Sequence, residues 1–126
     1  NDLRQTIVNN RWKPLAELLR LHSMENAQET FAHRAVGYYG QLWALVHMIR
    51  NTEPYGSGYL RLIADAKAGR LHQTLGMDRR RLDALRRDPV RYNRTVSLPL
   101  FRHYITDDLD AFASDYRDYA RQLAGL

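Results

Sequence analysis

The sequence predicts an all-α fold: an irregular array of five to six helices around a buried central helix at about 32–51. Three observations carry this. Apolar residues recur at helical spacing in several segments, above all Leu109, Phe112, Ala113, Tyr116, Ala120 and Leu123. No segment shows a sustained period of two. The stretch Ala35–Ile49 runs for 15 residues without Asp, Glu, Lys or Arg, which marks a helix buried on most faces.

Taken in order, residues 1–12 have no clear period and read as irregular, or as the continuation of a helix. Pro14 suits the first position of a helix, where its missing N–H costs nothing; Leu15, Leu18 and Leu19 form that helix's apolar stripe. Ser23 caps a further segment, 24–31. In the central helix Gly37 and Gly40 each cost about 1 kcal/mol relative to alanine, so they are expected where another backbone comes close. Pro54, Gly56 and Gly58 mark a turn, and a helix follows from about Tyr59 to Ala68 with Gly69 at its C′ position. Asp78 opens an Arg-rich helix that ends at about Arg87 before Pro89. Val90–His103 reads as an ordered loop with a helical turn near Pro99. Thr106 is expected to cap the last helix, with Asp107 and Asp108 in its first turn, where they complement the helix dipole.

The 126 residues are of single-domain size. There is no cysteine, so disulfide and thiolate chemistry are excluded. The uncharged stretch is shorter than the roughly 20 residues a membrane-spanning helix requires, and residues 1–10 contain no signal-peptide h-region; the compartment stays open, a secreted or envelope location of a parent chain included. The net charge of +5 is local. Asp78–Arg94 holds seven Arg and three Asp, whereas Thr106–Leu126 holds five Asp and two Arg.

The central helix reads Tyr39-Gly40-Gln41-Leu42-Trp43-Ala44-Leu45-Val46-His47. It resembles the helix written roughly Y-A-Q-S-W-A-L-V-H in a family of bacterial proteins with a gluzincin-like, peptidase-MA-type domain. The setting is also similar: Leu15–Leu19 and Phe31 before it, Tyr59–Gly69 after it, and a closing helix with Tyr116, Arg117 and Tyr119. The resemblance spans about Trp12–Leu126 and is weakest from Arg70 to Arg102. It implies that 1–126 is the C-terminal helical subdomain of a zinc peptidase and forms one wall of a peptide-substrate cleft.

In that family zinc is held by H-E-x-x-H on one helix and a glutamate on the next, the glutamate between the histidines serving as general base. Histidines 22, 33, 47, 72 and 103 include no pair four apart. The chain is therefore expected to hold no cofactor and to be inactive alone; zinc is implied for a parent whose upstream, zinc-binding half would be its partner. The resemblance aligns Tyr39 with the tyrosine of zinc aminopeptidases that donates a hydrogen bond to the developing oxyanion, a role a neutral phenol of pKa about 10 can fill once the upstream half is present; the plainer reading of the same residue is a core aromatic with a satisfied hydroxyl.

Other constellations have bland alternatives. Glu25, Glu29 and His33 stand at i, i+4 steps and would share a face on a continuous helix, as a metal site or as a solvated stripe. His47 on an apolar helix reads as a hydrogen-bonded core histidine. The run Arg79, Arg80, Arg81, Arg86, Arg87, Arg91 and Arg94, with Tyr92, suits phosphates of a nucleic acid or another anion, or forms a solvated face interleaved with Asp78, Asp83 and Asp88, or docks on the Asp-rich last helix. Asn93-Arg94-Thr95 matches a glycosylation acceptor, and no serine has a G-x-S-x-G context. A non-catalytic helical interaction module is the alternative function.

Overall fold

The computed structural model describes residues 2–20 and 32–126, with side chains at 3–20 and 37–126. Among these, seven α-helices and one 3-10 turn form the chain: α1 (Asp2–Val8), α2 (Leu15–Arg20), α3 (Ala32–Asn51), α4 (Tyr55–Lys67), the 3-10 turn (Leu71–Leu75), α5 (Arg79–Arg86), α6 (Pro89–Tyr104) and α7 (Leu109–Leu123). The described residues contain no strand. The segment expected at 24–31 lies outside the described residues, as do Glu25 and Glu29; the same holds for the side chain of His33.

The central helix packs against α1, α4 and α7. Its inner face buries Tyr38, Ala44, Leu45, Met48 and Ile49, and α7 meets it with Phe112, Tyr116 and Ala120. Phe112 is the hub: Tyr55 and Phe101 contact it edge-on at centroid distances of 4.8 and 5.0 Å, a geometry that sets ring edges against ring faces. The core is thus closed by three aromatics from three helices.

Two glycine positions explain how α1 lies so near α3. A Cβ on Gly40 would stand 3.4 Å from the backbone nitrogen of Leu3, and one on Gly37 only 2.9 Å from the Thr6 hydroxyl. This is the close approach their presence in a helix predicts.

Residues 2–8 are helical, one of the two readings the sequence allows. Several other local expectations are corrected. Gly56 and Gly58 lie inside α4, which begins at Tyr55 rather than Tyr59; Gly58 serves a packing contact instead of a turn. Val90–His103 is no loop, for α6 runs unbroken from Pro89 to Tyr104 with Pro99 inside it. Pro89 ends α5 and opens α6, and the Asp88 carboxylate accepts a hydrogen bond from Arg91 N–H at 3.2 Å. The hydroxyls of Thr95 and Ser97 donate to the carbonyls of Arg91 and Asn93, four residues back, so residues that look like loop formers are absorbed by the helix. The α7 cap is Asp108, which accepts from Ala111 N–H at 3.1 Å, while Thr106 accepts from Asp108 N–H. Gly69, at φ +71°, ends α4 as expected.

The core also sets an alkaline limit. The Tyr116 hydroxyl donates to the Gln41 carbonyl at 2.7 Å, and burial pushes the phenol well above its usual value of 10. Tyr104 is raised in the same direction by burial and by the hydrogen bond its hydroxyl donates to Asp65 at 2.7 Å. In the unfolded chain both phenols ionise near pH 10, while in the folded chain they hold their protons. Stability present below that pH is therefore expected to fall as pH rises beyond it. Urea midpoints measured across this range test it: Tyr116→Phe should flatten the slope, and an equal slope in the variant would refute the assignment.

Candidate functional site

Residues of α3 that do not face the core form a second, exposed stripe. Tyr39, Trp43 and Val46 are 57%, 56% and 44% exposed, at i, i+4 and i+7, one face of one helix. Arg50 continues it. Between Gly37 and Ile49 the remaining side chains are buried or half-buried, as expected of a helix buried on most faces, and this stripe is its open side. An open surface groove of about 390 Å³ runs along the end of the stripe, lined by Trp43, Val46, His47, Arg50 and Asn51. Tyr39 stands one turn before it.

The Tyr39 ring meets Tyr38 edge-on at 5.3 Å, and among the described residues its hydroxyl makes no hydrogen bond. The phenol is thus held by its inward neighbour while its polar end points away from the core. At this exposure Tyr39 is not the core aromatic that the sequence also allows.

The other polar residues of the motif have structural work. Gln41 is fully buried. Its side-chain carbonyl accepts from Lys13 N–H at 2.9 Å, and its amide donates to Lys13 C=O at 3.1 Å. Both backbone groups of a residue in the α1–α2 connection are thereby satisfied by one side chain, as buried polar groups require. His47 Nδ1 is hydrogen-bonded to the Tyr119 hydroxyl at 2.7 Å, with the Trp43 ring 5.3 Å from the imidazole. It is the hydrogen-bonded histidine the sequence suggests, although half-buried at the groove's edge and not in the core.

The arginine run divides between α5 and α6. Asp78 and Asp88 are helix caps. Among the described residues no ion pair joins Arg79, Arg80, Arg81, Arg86, Arg87 or Arg91 to the acidic α7. Tyr92, its one interleaved aromatic, is hydrogen-bonded to His72, a pairing no local sequence pattern signals. Among the described residues no group of three or more His, Cys, Asp or Glu is placed to hold a metal ion, and no helix is long and apolar enough to cross a membrane. Comparisons with protein-family models, curated proteins and solved structures give no match.

Proposed function

We propose that the α3 face is one wall of a cleft completed by a separate upstream unit, and that the chain is the helical C-terminal subdomain of a gluzincin-like zinc peptidase, inactive alone. The observation that carries this is the exposed Tyr39–Trp43–Val46 stripe. Three large apolar side chains in line on a helix face mark a surface that works against a partner or ligand. The same helix bears the motif on which the resemblance rests. The upstream unit supplies the zinc and its general base; Tyr39 supplies a neutral donor to the oxyanion of a peptide carbonyl under attack.

The alternative, a non-catalytic interaction module, uses the same stripe without chemistry. Zinc content and peptide hydrolysis, measured on this chain and on a chain extended to include the upstream sequence, separate the two. Zinc and turnover in the extended chain alone are expected. An extended chain with neither would leave the interaction module.

A further inference from the structure

A second concavity shares no lining residue with the α3 groove. It opens between the C-terminal end of α4, the 3-10 turn and α5, with a volume of about 770 Å³. Leu71, Met77 and Leu82 supply the large apolar side chains of its lining. Arg79 and Arg86, two turns apart on α5, share this lining with His72. Asp83 is the one carboxylate among the lining residues.

The charges around His72 are unbalanced. Its ring is hydrogen-bonded to the Tyr92 hydroxyl from α6. Burial first, and the nearby Arg86 second, hold its pKa below the usual 6.5. On the α4 side, Asp65 and Arg70 are paired with each other at 3.4 Å, so that carboxylate is already engaged. Among the described residues neither Arg79 nor Arg86 has an ion-pair partner.

We propose that this groove binds a small amphipathic anion, a carboxylate or phosphate monoester bearing an apolar group, with Arg79 and Arg86 holding the anion and Leu71, Met77 and Leu82 covering the apolar part. Guanidinium groups present planar paired donors that suit either anion. Small-molecule sites set placed polar groups beside apolar side chains, and this lining carries both.

The test is an NMR titration of the whole chain with phenyl phosphate, benzoate and inorganic phosphate. Phenyl phosphate or benzoate is expected to give saturable shifts at Leu71, Met77 and Leu82, at least tenfold tighter than inorganic phosphate, and whichever is tighter assigns the anion. The bound anion should raise the His72 titration midpoint, because it offsets Arg86. Arg86→Gln and Arg79→Gln, both at exposed positions, should each weaken binding about tenfold, with Arg117→Gln on α7 unchanged. Absence of saturable shifts, equal binding of inorganic phosphate, an unmoved His72, or full affinity in both Gln variants would overturn the proposal.

Discussion

Gly58→Ala is expected to lower stability by about 3 kcal/mol, at the upper end of ordinary overpacking, and the melting temperature by roughly 10 °C. Gly58 lies in α4 where it crosses the end of α6. A Cβ there would collide with the Tyr104 carbonyl oxygen, far inside the 3.4–4 Å of ordinary contact. The obstacle is backbone, so no rotamer change relieves it, and α4 and α6 have to separate. Alanine's better helix propensity returns about 1 kcal/mol and does not offset the clash. Separation would also disturb the Tyr104–Asp65 hydrogen bond between these helices. Thermal unfolding of the variant checks this, and a melting temperature equal to or above that of the parent would show that the two backbones do not touch here.

Gln41→Met is expected to cost about 3 kcal/mol although it preserves volume and helix propensity. The loss is of hydrogen bonding, because Lys13 N–H and C=O each lose a partner 2.9 and 3.1 Å away. A buried backbone group left unpaired costs roughly 1–3 kcal/mol. Gln41 thus pins the α1–α2 connection to α3, and the variant should also speed amide exchange at Lys13. Urea unfolding together with exchange at that amide gives the answer. An unchanged midpoint would mean that water replaces the side chain without penalty.

The same residues show what was legible in the sequence. The α7 stripe, the α5 cap at Asp78 and the C′ glycine at 69 follow from local chemistry, and local chemistry fixed them. Gly56 and Gly58 look like a turn because glycine near proline usually makes one; Gly56 instead lies against the carbonyls of Ile49 and Arg50, and Gly58 against Tyr104, far away in the sequence, which no local pattern carries. Val90–His103 looks like a loop because Asn, Thr, Ser and Pro disfavour helix interiors. Its hydroxyls bond back to carbonyls within the helix, and packing on α2, α4 and α5 overrides propensity. On α3 an apolar composition on all sides hides which side is outside, since no period separates Tyr39, Trp43 and Val46 from Tyr38, Leu45 and Met48. The candidate site residue Tyr39 was legible only through its resemblance; its exposure was not.

The central claim is that Tyr39 acts on the reacting carbonyl from the α3 wall. The most direct measurement is kcat of Tyr39→Phe in the chain extended upstream, with bound zinc determined on the same samples. Zinc content is expected to be unchanged and kcat to fall by two to three orders of magnitude, the usual loss of roughly 3–4 kcal/mol for one oxyanion donor. Unchanged turnover in Tyr39→Phe at full zinc occupancy would contradict it.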